Sequence, residues 1–374
     1  MSVSDDRPSG FDAVPGYLDW AAFGPLSTAA RDALVRDADL LSTGRGADIA
    51  AVAARAEQAQ QGLGALLDAV PDEIPLHPSS THALQQALAG LGGTVLASAA
   101  EFPSVTITLD RAAEAAAGSL VPRWISPRGA RVTPDAVAGA LDETVTALVV
   151  SHVDFRTGYR TDLAALREVL GPDRLLIVDA VQSFGVVDED WAAADVVVGH
   201  GYKWMRAGRG TGFARFTARA RERIRPVLSG RIGTSAAGLP TDALPDPAAS
   251  SQAYAVSAPD PLAASRLAAA TSEIRALGVP AVAAALGEAV DRVLDIADRR
   301  SIAVSSPRAR PERAGIVVLA VADAVRCGEA LADAGLRVTV RSGAVRVSPH
   351  ASTPSETFAR LADALDRAAE FTGS

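Results

Sequence analysis

The chain has 374 residues, 48% of them hydrophobic and 21% charged, so it can bury a sizeable core and lacks the composition of a disordered chain. Its 36 Lys and Arg against 44 Asp and Glu, net −8, do not suit a protein that tracks a phosphate backbone, and no apolar run is long enough to span a bilayer. Cys327 is the single cysteine, which excludes an intrachain disulfide; with a polar, acidic N-terminus lacking an apolar signal core, it points to a cytoplasmic protein.

In chain order, residues 1–15 read as a flexible tail. Residues 29–70 carry Ala, Leu, Arg and Asp at helical spacing and predict two helices, broken at Gly44 and Gly46. Short apolar runs then alternate with helical patterns. Strands are expected at 94–98, 120–125, 145–150, 175–179, 194–198 and 212–216, and helices at 112–117, 134–141 and 162–170. This alternation argues for a mostly parallel α/β sheet covered on both faces. Arg219, Arg221, Arg223 and Arg225 read as a solvated helix face. Residues 230–261, rich in Gly, Ser, Ala and Pro, predict long loops, and 263–299 returns to a helical pattern. The last third predicts strands at 302–304, 315–320, 336–340 and 344–347 among helices at 322–334 and 355–371. The organisation is a large domain over 16–262 and a small α+β domain over 263–374.

In open parallel sheets, functional groups gather beyond the carboxyl ends of the strands. One run, Leu175-Leu-Ile-Val-Asp179, ends in an acid, with Gln182 one turn on. The next, ending Gly199-His200, leads to Tyr202-Lys203 and a glycine-rich stretch, Gly208-Arg-Gly-Thr-Gly212. Asp179 can hold the pyridine nitrogen of pyridoxal 5′-phosphate (PLP) protonated. Lys203 can take the aldehyde as a Schiff base and then move protons at Cα of a substrate. Gln182 could donate to the ring oxygen O3′. Taken singly, Asp179 is a turn acid and Lys203 a surface lysine; the pairing favours the cofactor reading.

On Val178-Asp-Ala-Val-Gln182 and Gly199-His-Gly-Tyr-Lys203 the chain resembles class V aminotransferase-fold enzymes, the group of cysteine desulfurases, kynureninase and related C–S lyases. Tyr17-Leu-Asp-Trp-Ala-Ala, Ser79-Ser-Thr-His-Ala, Glu101-Phe-Pro-Ser, Ser151-His-Val-Asp-Phe-Arg-Thr-Gly158 and Val345-Arg-Val-Ser-Pro-His350 support it. The resemblance implies the PLP-dependent transferase fold type I, with a seven-stranded large-domain sheet, and a homodimer. It also implies site roles. Ser80, Thr81 and the backbone around His82 open a helix onto the cofactor phosphate, where N–H groups and hydroxyls suit a dianion. Phe102 stacks on the pyridine, and His200 lies near the phosphate. Arg346 clamps a substrate α-carboxylate with its planar guanidinium, Arg341 being a second candidate. Ser257 belongs to a loop completing the phosphate site of a second subunit.

The sequence departs from that family in two places. The connection Arg341-Ser-Gly-Ala-Val-Arg346 has no cysteine, and Cys327 falls inside an expected helix, so persulfide transfer by a nucleophilic thiolate is not expected. Asp154 or Phe155 stands where the family has an Asn near O3′. The short connection and the Arg-Val-Ser-Pro-His ending are most similar to hercynylcysteine sulfoxide lyases. The expectation is a β-lyase breaking a bond at Cβ of an amino acid, such as Cβ–S. An aminotransferase or epimerase uses the same groups, and a non-catalytic PLP-fold binding protein is the remaining alternative. No metal site is expected. The substrate pocket is expected to involve residues 20–24, Phe155, Arg156 and the 230–261 loops.

Overall fold

The structure is a computed structural model that describes residues 11–236 and 243–368. Most of the expected tail, residues 237–242 of the expected loops and the end of the helix expected to reach 371 lie outside the described residues.

The chain opens with α1 (Thr28–Ser42), α2 (Gly46–Ala53) and α3 (Arg55–Leu67), three helices where two are predicted. Gly44, at φ 67°, separates the first two, as its sequence signal says. The second break falls at Ala54, whose backbone stays near helical, so neither glycine nor proline announces it. There follow β1 (Leu76–His77), α4 (Ser80–Ala89), β2 (Gly93–Ser98), α5 (Pro103–Ala115), β3 (Leu120–Ile125), α6 (Pro134–Ala138), β4 (Val145–Ser151), α7 (Leu163–Leu170), β5 (Leu175–Asp179), β6 (Val196–His200), β7 (Gly212–Phe216) and α8 (Ala218–Arg223). Helix α5 starts nine residues before the expected 112 because Pro103 sits in its first turn, where its fixed φ costs nothing.

These strands form one seven-stranded sheet in the order β1-β7-β6-β5-β4-β2-β3. Pairings among β3, β2, β4, β5 and β6 are parallel, while β7 runs antiparallel to both β6 and β1. The central strands divide their side chains between two apolar layers with the period-two alternation of a pleat. Leu148, Val150, Leu176, Val178 and Val197 enter one layer; Ala147, Val149, Leu175, Ile177, Val196 and Val198 enter the other. Each buried Val, Leu or Ile contributes about 1.5–3 kcal/mol, which holds the centre of the sheet rigid.

The expected loop region 230–261 contains two short 3-10 turns, Arg231–Gly233 and Ser251–Tyr254. The helical stretch after it is two helices, α9 (Pro261–Leu277) and α10 (Val279–Asp298), divided at Gly278 with φ 82°. Helix α9 packs on α1 and α3. A four-stranded antiparallel sheet follows, built from β8 (Ala303–Val304), β9 (Val317–Ala320), β10 (Thr339–Arg341) and β11 (Ala344–Val347), with α11 (Ala324–Asp333) and α12 (Ser355–Arg367). Residues 17–24 strap the two sheets together. Tyr17 and Asp19 bridge to Arg337 and Ser348, and the Gly24 N–H donates to the Tyr202 carbonyl at 2.8 Å.

The arginine cluster on α8 is more than a solvated face. Arg219 pairs with Asp195 at 3.4 Å and donates to the Arg174 carbonyl, and Arg221 donates to the Phe216 carbonyl. Together they lash the short helix to the sheet. No helix among the described residues is long and apolar enough to cross a membrane.

Candidate active site

Three parallel strands end side by side at the same edge. Ser151 closes β4, Asp179 closes β5 directly opposite it, and His200 closes β6. Beyond them lies a cavity of about 120 Å³ lined by Ser80, Thr81, Phe102, Asp179, Gln182, His200 and Lys203, among others. These expected residues, drawn from four stretches of the chain, are therefore brought together.

Lys203 and Asp179 face this cavity within electrostatic reach, yet no direct ion pair joins them. The Lys203 amine lies 5.8 Å from the Phe102 ring centroid and 5.7 Å from that of Tyr202. Burial pushes the amine down to about 8, against the pull of Asp179 and with help from the charges of Arg346 and Arg209. Burial also raises the Asp179 carboxyl, opposed by the Val181 N–H, which donates to Oδ1 at 2.9 Å, and by Lys203. A cationic ring nitrogen placed between them would favour the ionised carboxylate.

At the other end, α4 presents its N-terminus. Ser79 caps it by accepting from the His82 N–H at 3.1 Å, so this N–H is not available to a ligand. The His82 imidazole meets His77, Nδ1 to Nδ1, at 3.2 Å. Ser80 and Thr81, whose N–H groups have no intrahelical acceptor, line the cavity, whereas His82 does not. His200 stacks on Tyr202 at 3.7 Å between ring centroids, and both its ring nitrogens are buried without a hydrogen-bond partner. Burial holds its imidazole neutral, well below the ordinary pKa.

The Gln182 amide is largely spoken for. It donates to the Ala21 carbonyl at 3.0 Å and accepts from the Trp204 indole at 3.0 Å, leaving one amide proton for the cavity. Arg346 is buried and is not among the cavity-lining residues. Its guanidinium donates to the Phe155 carbonyl at 3.1 Å and reaches Asp19 at 3.5 Å, while Nε has no partner. Arg341 is exposed, 5.0 Å from the Phe155 ring centroid. Ser257 is exposed and is not among the cavity-lining residues of its own chain. Of the expected substrate residues, Phe155 lines the cavity; Arg156 pairs with Asp154 at 3.0 Å, and Trp20 is buried against His350. Cys327 is buried in α11 and its thiol is pushed up to about 11, the reverse of an activated nucleophile.

Glu101, next to the cavity, and Arg209, which lines it, are ionisable groups at the site that the sequence reading did not single out. Glu101 is half-buried beside β4, accepting from the Ser151 N–H at 3.0 Å and from its hydroxyl, and desolvation raises its carboxyl to about 7. Arg209 lines the cavity with its guanidinium 4.7 Å from the Tyr202 ring centroid. The glycines on either side, Gly208 and Gly210, at φ 76° and 87°, are its sequence signal: a chain that must turn tightly there.

These residues fit PLP. An amine and a carboxylate face one cavity without neutralising each other, an aromatic ring lies beside the amine, and unsatisfied donors wait at a helix start.

No family model matches the chain. It is 30% identical over 107 residues to the kynureninase of Pseudomonas fluorescens, a segment that covers 28% of this chain and 26% of that enzyme. Among solved structures it is similar to the cystine C–S lyase C-DES in complex with its product cysteine persulfide. The TM-score is 0.85 at 20% identity, over 96% of this chain and 99% of that one. A mutant of C-DES with glycine covalently linked to its PLP cofactor gives 0.85 at 19% identity, over 96% and 97% of the two chains. The apo cysteine desulfurase of Thermococcus onnurineus NA1 gives 0.84 at 17% identity, over 99% of each chain. The chain thus has the fold of the PLP-dependent desulfurases and C–S lyases.

Proposed function

We propose that this protein is a PLP-dependent enzyme acting on an amino acid, and specifically a β-lyase that breaks a Cβ–S or related bond. The observation that carries the proposal is the buried, unpaired juxtaposition of Lys203 and Asp179 across one cavity. When bound, PLP supplies an aldehyde for an amine and a ring that withdraws electrons from substrate Cα.

Each chain residue then has a defined task. Lys203, its amine lowered to about 8, is a base of suitable strength for the Cα proton near neutral pH. Asp179 holds a proton on the ring nitrogen, and Phe102 covers a ring face. Ser80, Thr81 and His200 hold the phosphate. Arg346 would hold the substrate α-carboxylate and so orient Cα, releasing its contact with the Phe155 carbonyl to do so. The thiol of Cys327, buried and protonated, takes no part, which favours a lyase over a desulfurase. The hercynylcysteine sulfoxide lyase type is the finer form of this reading, supported by the short Arg341–Arg346 connection. The large and small domains over 16–262 and 263–374, a homodimer completed near Ser257 and a cytoplasmic location belong to the same proposal.

Borohydride reduction followed by peptide mass spectrometry tests it. PLP mass is expected on Lys203, with a visible band at about 420 nm before reduction. Modification of another lysine, or none, overturns the assignment. Lys203→Ala is expected to lower turnover by at least about 10³-fold. Release of pyruvate and ammonia marks the lyase, whereas amino transfer that depends on a keto acid marks the alternative.

A further inference from the structure

We infer that Glu101 is a positioning residue that, through the Ser151 hydroxyl, sets whether one wall of the cavity donates or accepts a hydrogen bond. This deepens the proposed function and rests on it only for the choice of probe, an analogue of PLP.

Strand β2 pairs with β4 only as far as Ala97 and Val149, so it no longer reaches the Ser151 N–H two residues on. Glu101, in the turn between β2 and α5, takes that place. Its Oε1 accepts from the Ser151 N–H at 3.0 Å, and its Oε2 meets the Ser151 hydroxyl. Capping the strand needs one oxygen. The second ties the carboxyl to a hydroxyl that lines the cavity, directly opposite Asp179 on β5.

Among the described residues Glu101 has no cationic partner. Asp179 and Asp154 both repel a charge on it, while Lys203, Arg209, His200 and Tyr202 line the cavity without a hydrogen bond or ion pair to it. Like charges and desolvation both favour the neutral acid, which is why the carboxyl stands near 7. With Oε1 committed to the Ser151 N–H, the acid proton sits on Oε2. A neutral Glu101 therefore donates to Ser151 Oγ and frees the serine proton for the cavity. An ionised Glu101 accepts that proton and turns the serine lone pairs to the cavity. The first state suits an oxyanion on a bound ring, and the second repels it. The neighbouring groups are poor substitutes. Gln182 keeps one amide proton, and the Asp154 carboxylate, held by Arg156 and by the Thr157 N–H at 2.7 Å, has none.

The test begins with the full chain free of cofactor, labelled with carbon-13 at the glutamate carboxyls; the Glu101 signal is the one absent from Glu101→Gln. Its midpoint is expected near 7. It is expected to rise in Ser151→Ala, which removes a donor to the carboxylate, and to fall in Asp179→Asn, which removes a repelling charge. Affinity is then measured for 4-deoxypyridoxine 5′-phosphate, which keeps the ring oxygen and the phosphate but has no aldehyde to bond Lys203. In Glu101→Gln the amide keeps both contacts with Ser151 and cannot ionise, so it is expected to bind as the wild type does at about pH 6. At about pH 8.5 the wild type is expected to bind roughly tenfold more weakly than Glu101→Gln, titrations common to both proteins cancelling in the ratio. Most of that difference is expected to vanish in a Ser151→Ala background. Circular dichroism of each variant separates misfolding from lost binding. A midpoint in the ordinary carboxylate range, a ratio constant with pH, or a ratio undiminished by Ser151→Ala overturns the inference. If the midpoint lies near 7 and moves both ways as expected while the analogue does not bind and no PLP attaches to Lys203, the pair stands and the proposed function falls.

Discussion

Lys203 gains its chemistry from a conflict between burial and charge. Desolvation lowers its amine and Asp179 raises it, with the net result near 8. In the cofactor-free protein, the rate of Lys203 acylation by an amine reagent, read by peptide mass spectrometry, is expected to rise with pH through about 8. In Asp179→Asn the rise moves to lower pH, because the attraction that favours the charged amine is gone. An unmoved midpoint counts against the coupling. Cys327→Ala is expected to leave turnover within about twofold, since the thiol is sealed in α11, and to cost about 1 kcal/mol in a denaturant melt. A large loss of turnover would reinstate a thiol role.

Among the elements, the first turn of α4 and the start of β7 are built against each other. Gly212 touches the Ser79 backbone so closely that Gly212→Ala forces them apart, at a cost of about 1–3 kcal/mol in thermal unfolding. PLP affinity is expected to fall as well, because the helix start then moves away from His200. Stability lost with affinity intact would mean that α4 does not hold the phosphate. This contact lies outside the reach of sequence reading. The apolar runs of β4, β5 and β6 and the acid at the tip of β5 are legible because a strand buried on both faces must be apolar throughout. Strand β1 has two residues and no period to read. Arg209 stands in a glycine-rich stretch, but only the stacking of its guanidinium on Tyr202 separates it from any surface arginine.

Across the whole molecule, the buried histidines set an acid limit. Burial lowers both His77 and His350 to about 3, so each stays neutral in the fold while an unfolded chain protonates it near 6.5. The unfolded state then binds more protons between about pH 6.5 and 3, and stability falls as pH drops through that window, by about 1.4 kcal/mol per pH unit for each group. Urea midpoints measured from pH 7 to pH 4 are expected to decline accordingly. A flat profile would mean that both rings are solvated. His350 is held by Trp20 and Trp204, from two distant stretches, and by the neighbouring Ser352, so its state reports the docking of the 17–24 strap as well as local packing.

The sequence by itself determined the alternation of strand and helix, the acid and the amine that follow two adjacent strand ends, and the absence of a cysteine in the loop where a desulfurase needs one. These follow from periodicity and chain order, which act locally. Tertiary structure alone decided which donors stay free. It gave the His82 N–H to Ser79, most of the Gln182 amide to Ala21 and Trp204, and the Arg346 guanidinium to Phe155 and Asp19, while leaving Arg209 and His200 unsatisfied. The physical reason is that a polar group in the fold is defined by the partners that reach it, and those partners come from parts of the chain far apart in order.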